Sequence, residues 1–160
     1  MEKHEQLLIS LRKVIRAIDL YSRKLSKDAG LTGPQLLVMK QIAQLDGAIA
    51  RQVASAVNLS PATVTSIIDR LESRGLVQRV RDTADKRRVQ LFLSDEGKAL
   101  LDSAPQPLQE HFIQRYQTLE PWEQTLLLSS VERIASMMDA EELDAAPVLT
   151  VGQIQESSTH

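Results

Sequence analysis

Two stretches of this 160-residue chain carry side chains suited to chemistry, and the chemistry is recognition rather than bond making. The first is Ser60-Pro61-Ala62-Thr63-Val64-Thr65-Ser66. Ser60 is a good helix N-cap, and Pro61 fits the first helical position, where its missing N–H costs nothing. A helix opening there presents Ala62, Thr63, Thr65 and Ser66 near its N-terminal end, with Ser60 at its mouth. Short hydroxyls and methyls in that place suit hydrogen bonds and thymine-methyl contacts along a major groove. Each hydroxyl has a plainer alternative in local backbone bonding, and Ser60 is expected to cap. The second stretch is Asp85-Lys86-Arg87-Arg88. A long cation at the tip of a narrow loop suits a minor groove, because narrow A·T grooves attract arginine. Arg87 is the candidate for that position. Lys86 and Arg88 are expected on phosphates, and Asp85 is expected to organise the loop. Arg70 and Arg74 lie further along the first helix, with phosphate or the neighbouring Asp69 and Glu72 as partners for Arg70. Arg79, between the two stretches, reads as a positioning contact rather than a base reader.

Other chemistries find little support. There are no cysteines, which removes disulfides, thiolate zinc sites and cysteine redox sensing. His4, His111 and His160 are too scattered for a metal site, no glycine-rich phosphate loop is present, and no nucleophile–base pair suggests itself. Glu110-His111 is the nearest polar pair and reads as helix surface. The expectation is therefore no enzyme, no metal and no cofactor. No apolar run approaches membrane-spanning length, and Met1-Glu2-Lys3-His4-Glu5 does not read as a signal peptide, so a cytoplasmic protein is expected. The net charge of −2 argues weakly against a polyanionic partner, but its distribution argues for one. Between Arg51 and Gln90 eight basic residues face four acidic ones, a local excess of +4 that leaves −6 for the remainder. A basic lobe on an acidic body aims its field in one direction.

The elements that must position these residues follow from the pattern. Residues 49–57 and 61–74 read as two short helices crossing at a tight turn. Ala54 is the small residue where they touch, Asn58 tolerates positive φ in the turn, and Val64 and Ile67 anchor the second helix. Gly75 closes that helix as a positive-φ cap. Residues 76–80 and 89–93 are short alternating strands joined by the charged loop, a β-hairpin. Before this unit, residues 5–26 form a long helix with apolar residues at three- and four-residue steps, and Thr32 with Pro34 starts another through about Gln44. After it, Ser94 caps a helix that Pro105 and Pro107 interrupt near 104–108, and a last helix starts at Glu120-Pro121. The fold class is mainly α with a small β-wing: a winged helix-turn-helix lobe at 32–97 and a helical dimerisation stem at 5–29 and 98–139, together one domain over 1–146. Residues 147–160 read as a tail.

Asp69-Arg70-Leu71-Glu72-Ser73-Arg74-Gly75-Leu76-Val77-Gln78-Arg79, followed by Asp85-Lys86-Arg87-Arg88-Val89-Gln90-Leu91-Phe92-Leu93-Ser94-Asp95-Glu96-Gly97, resembles the MarR family of bacterial transcriptional regulators. The resemblance runs from about Leu7 to Met138, with Ser94 where the family often has Thr. Gly33-Pro34-Gln35 and Ser22-Arg23-Lys24-Leu25 also resemble a subgroup controlling compatible-solute genes, which implies osmotic stress as a context. The family resemblance implies a homodimer with intertwined first and last helices, each lobe on one half of a pseudo-palindrome in double-stranded DNA. It implies a repressor released by a small-molecule or an osmotic or ionic signal. It places Arg87 in the minor groove with Asp85 holding it. It also implies an effector cleft between stem and lobe, which Arg16, Tyr21 and Met39 are candidates to face. The long apolar stripes of the first and last helices independently call for a partner copy. The rival reading is a winged-helix protein-interaction module without specific DNA binding, against which the basic loop speaks.

Overall fold

The fold is described from a computed structural model, which describes residues 1–140. The expected tail at 147–160 lies outside the described residues. Helix α1 (Lys3–Ala29) is followed by α2 (Gly33–Leu45), α3 (Ala50–Val57), α4 (Pro61–Ser73), strands β1 (Val77–Arg81) and β2 (Val89–Leu93), and helices α5 (Asp95–Ser103), α6 (Leu108–Gln117) and α7 (Pro121–Met137).

Local chemistry fixes most boundaries. Thr32 Oγ1 accepts from the Gln35 N–H at 3.3 Å while Gln35 Oε1 accepts from the Thr32 N–H at 3.0 Å, so α2 opens on a reciprocal capping box. α1 ends on Gly30 at φ 63°, and α3 ends on Asn58 at φ 53°, the left-handed turn between the crossing helices. The Ser94 hydroxyl accepts from the Gly97 N–H at 3.0 Å and donates to the Gly75 carbonyl at 2.6 Å, joining the start of α5 to the end of α4. The expected break near 104–108 falls between α5 and α6.

The first strand begins one residue later than expected, at Val77. The Leu76 N–H is taken by the Leu71 carbonyl at 3.0 Å as the chain leaves α4, so it is not available to the hairpin. The two strands pair antiparallel with Val77 opposite Leu93 and Arg81 opposite Val89. The sheet also gains an unforeseen third contact. The Leu91 N–H donates to the Ala48 carbonyl at 2.8 Å, so the segment before α3 bridges to β2.

The core is built where the end of α1, the next three helices and the hairpin converge. Leu25, Leu31, Leu36, Val38, Met39, Ile42, Val53, Val64, Ile68, Leu71 and Val77 are fully buried. The rest of α1 and the C-terminal helices are different. α6 and α7 contain no buried residue, and Trp122, Leu126, Leu128 and Val131 stand open on α7 while Val14 and Ile15 stand open on α1. At 1.5 Å per residue α1 reaches about 40 Å, further than the packed lobe can cover. Apolar stripes left open on this scale are uncommon on the surface of a monomer. Among the described residues no helix is long and apolar enough to cross a membrane.

Candidate nucleic-acid interface

The turn at Asn58 and the Ser60 cap set the direction of α4. Ser60 Oγ accepts from the Thr63 N–H at 3.1 Å, and the two hydroxyls lie 2.7 Å apart. Pro61 follows at the first helical position. Val64, Ile67, Ile68 and Leu71 turn inward, and Ala62 and Thr65 are exposed with Ser66 half-buried beside them. A stripe of small and short-hydroxyl side chains is thereby left open at the N-terminal end of α4. Thr63 departs from the expectation. It is buried against the core and its hydroxyl is engaged by Ser60, so it completes the cap instead of facing outward.

At the hairpin tip the acids fold back on the main chain. Asp82 Oδ1 accepts from the Ala84 N–H at 2.9 Å and Asp85 Oδ1 accepts from the Arg87 N–H at 3.0 Å. The Asp85 carbonyl takes the Arg88 N–H at 2.9 Å, and the Asp82 N–H reaches the Arg88 carbonyl at 2.9 Å. These are the side-chain-to-backbone turns that Asp favours. The expectation is that Asp85 holds Arg87; in the structure it bonds the Arg87 backbone and leaves the guanidinium alone. Arg81, Lys86, Arg87 and Arg88 are exposed and make no ion pair with any described residue.

Two arginines depart from their expected place. Arg74 turns back from the end of α4 and donates to the Gly30 carbonyl at 2.6 Å, with the Ala29 carbonyl at 3.5 Å. It caps α1 and is tied to protein rather than open to phosphate. Arg79 reaches sideways from β1 to α4, with Nη2 on Asp69 Oδ1 at 2.6 Å and Nη1 on Glu72 Oε1 at 2.9 Å. Burial works against its charge, but the bonds to Asp69 and Glu72 outweigh burial and hold its pKa above the ordinary value. Sequence reading missed this pairing. The signal available was the three-residue spacing of Asp69 and Glu72 on one helix face, with the chain reversing at Gly75. Arg70 is exposed on α4.

The three effector candidates do not converge. Met39 is fully buried in the core. Arg16 lies on the outer face of α1, 3.5 Å from Asp19, in an open depression with Ile9, Arg12, Lys13, Ala17 and Leu20. The Tyr21 hydroxyl donates to the Gln106 carbonyl at 2.6 Å, and burial, opposed by the Leu108 backbone and aided by the Glu110 charge, pushes its pKa up. A polar junction that sequence reading did not foresee lies beside it. Lys40 Nζ of α2 sits 2.6 Å from both carboxylate oxygens of Glu110 on α6, and Gln106 Nε2 reaches the same carboxylate at 3.4 Å.

A sequence profile of the MarR family matches residues 31–89, which span α2 to the start of β2. HosA of Escherichia coli, a transcriptional regulator, is 36% identical over 107 residues, covering 65% of this chain and 77% of HosA. The HTH-type transcriptional regulator TtmR of Methylorubrum extorquens is 34% identical over 95 residues, covering 59% of this chain and 49% of TtmR, so the match spans about half of that protein. Among solved structures, the PcaV transcriptional regulator of Streptomyces coelicolor, in complex with its natural ligand, superposes with a TM-score of 0.56 at 27% identity over 80% of this chain and 90% of PcaV. With its crossing helices, its capped and outward-facing α4 and its basic hairpin, the chain belongs to the MarR family of winged helix-turn-helix transcriptional regulators.

Proposed function

We propose that the chain is a cytoplasmic repressor that binds a pseudo-palindromic operator as a homodimer. Residues 32–97 form the DNA-binding lobe, and residues 5–29 with 98–139 form the stem. In this reading Ala62, Thr65 and Ser66 face base edges in the major groove. Arg87 enters the adjoining minor groove while Arg81, Lys86 and Arg88 meet phosphates. The observation that carries it is the division of charge in the lobe. Asp69, Glu72, Asp82 and Asp85 are all bonded inward, while the cations of the hairpin tip are open. The open apolar faces of α1 and α7 support the dimer, whose two-fold axis would set half-sites about one helical turn apart.

Release follows a small-molecule or an ionic signal. The ligand in PcaV supports the first. The open cations support the second, since salt weakens contacts of this kind. The likeness of Gly33-Pro34-Gln35 to regulators of compatible-solute genes fits an osmotic context.

The test is selection from a randomised duplex library by the purified chain, with mass measured by light scattering. A dimer that enriches a pseudo-palindrome, and loses it on Arg87→Glu, is expected. No enrichment would favour a protein-interaction module. A monomer that binds specifically, or an Arg87→Glu variant that holds the duplex as firmly as the parent, would overturn the reading.

A further inference from the structure

The outward stripe of α4 carries an apparent contradiction. Its N-terminal half is small and polar, but one and two turns further on it presents Asp69 and Glu72, both exposed helix positions. Carboxylates on a helix laid in a groove repel phosphate at short range. The hairpin supplies an equally unexpected residue. Val77, Arg79 and Arg81 alternate onto one face of β1, opposite Leu93, Leu91 and Val89. Val77, Leu91 and Leu93 are buried, so this is the inward row of the hairpin. Arg79 occupies a position in that row where strand alternation calls for an apolar side chain. A cation there is costly unless it is paired and hydrogen-bonded. It is paired twice, at 2.6 and 2.9 Å, and both partners are the carboxylates of α4.

We propose that Arg79 is a positioning residue for DNA binding: one guanidinium screens both carboxylates on the outward stripe of α4 and clamps the hairpin to that helix at a single angle. The proposal rests on the DNA-binding reading above for its purpose and on the fork geometry for its mechanism. The planar guanidinium holds two acceptors in a fixed relation, which the single ammonium of lysine does not do. The tip cations sit at the far end of a two-stranded hairpin. A small rotation at Arg79 therefore becomes a large displacement at Arg87, and the reach of Arg87 depends on a residue that need not touch DNA.

Two measurements test this. The chain has no cysteine, so nitroxides can be placed cleanly on Ala56→Cys in α3 and Ala84→Cys in the hairpin loop, with labelled chain diluted into unlabelled chain. The electron–electron distance distribution is expected to be narrow in the parent. It should broaden in Arg79→Met, and broaden equally in the triple variant Asp69→Asn, Glu72→Gln, Arg79→Met, which has no uncompensated carboxylate. Arg79→Lys keeps the charge and loses the fork, and should give an intermediate width. If Arg79→Met does not fold, the lysine variant carries the comparison. The second measurement uses the duplex selected by the parent. Arg87→Ala should cost about 60-fold in dilute salt in the parent, and less than about tenfold in the Arg79→Met background. An unchanged distance distribution in Arg79→Met or Arg79→Lys overturns the clamp. So does simple multiplication of the two affinity losses, the signature of an independent phosphate contact. Should the parent select no duplex, the DNA-binding reading falls, while the distance distributions still decide the clamp.

Discussion

Arg87→Ala separates a minor-groove cation from a solvated loop residue through its dependence on salt. A dimer carries two hairpin tips, so the substitution removes two cations from the complex. Each neutralised phosphate contributes a slope of about 0.9 in log affinity against log salt, and losing two lowers the slope by about 1.8. Referred to 1 M salt, where the counterion contribution vanishes, the loss is about 60-fold at roughly 0.1 M and about ninefold at roughly 0.3 M. The gap between parent and variant must therefore narrow by about sevenfold across that range. Asp85 and its backbone turn are untouched, because Asp85 bonds the Arg87 N–H and not its side chain, so loop geometry is retained. Fluorescence anisotropy on the selected duplex at three salt concentrations reads both numbers. A loss that stays constant with salt would mean that the substitution acts on structure rather than charge. No loss at all would place Arg87 outside the interface.

Gly97→Ala should destabilise the fold by at least the usual overpacking cost of about 1–3 kcal/mol, because a Cβ there would lie 2.1 Å from the Leu76 carbonyl oxygen; urea unfolding measures it, and an unchanged midpoint refutes the close approach. Stability should fall as pH rises above 10, since the raised Tyr21 pKa means the folded state keeps a proton that the unfolded state gives up; Tyr21→Phe should flatten that alkaline slope in a pH series of thermal melts. Lys40→Met leaves Glu110 without its cation at a junction where each side chain is about three-quarters covered, at 26% and 30% exposure. It should loosen α6 against α2, seen as faster hydrogen exchange in Leu108–Gln117, and the reversed pair Lys40→Glu with Glu110→Lys should restore protection. Equal loss in the single and reversed variants would deny the ion pair a role.

What could be read from the sequence and what could not divide along a physical line. Asn58, Gly30 and Gly75 announce themselves because left-handed backbone is a local demand that few residues meet. The caps at Thr32, Ser60 and Ser94 are equally local, as is the break between α5 and α6 imposed by Pro105 and Pro107. Thr63 was also legible in principle: a Ser60 cap bonds the residue three positions on, which assigns Thr63 to the cap. Arg74, Lys40 and Met39 were not legible. Arg74 meets a carbonyl 44 residues away and Lys40 a carboxylate 70 residues away, separations that only packing can close. Met39 sits on an ordinary helical stripe, and the stripe cannot say whether a position lines a cleft or fills the core. The hairpin tip was legible in type but not in detail. The acid shapes the backbone, with Asp85 bonded to the Arg87 N–H, and leaves the side chains of the neighbouring cations open, a division that the run of charges in the sequence does not show.

That openness bears on how such a protein could be released from DNA without any ligand. A net charge of −2 says little, because sign at an interface depends on which charges are already paired. Here Asp69, Glu72, Asp82 and Asp85 are engaged by Arg79 and by backbone amides, while the side chains of Arg81, Lys86, Arg87 and Arg88 make no ion pair with any described residue. If Arg81, Lys86 and Arg88 meet the phosphate backbone in each half-site of the proposed dimer, six contacts give a slope of about 5.4. A threefold rise in salt then weakens binding about 400-fold, enough to empty an operator held near its midpoint. A ligand achieving the same release would need a differential affinity of comparable size for the two states. The ionic route therefore needs no pocket. Affinity for the selected duplex, followed in KCl alone and in an isosmotic neutral osmolyte, separates ionic strength from osmolarity. A weakening below about 20-fold over the threefold rise would limit the dimer to about three phosphate contacts. In that case the hairpin tips could not both be seated on DNA as proposed, and release would have to come from elsewhere in the fold.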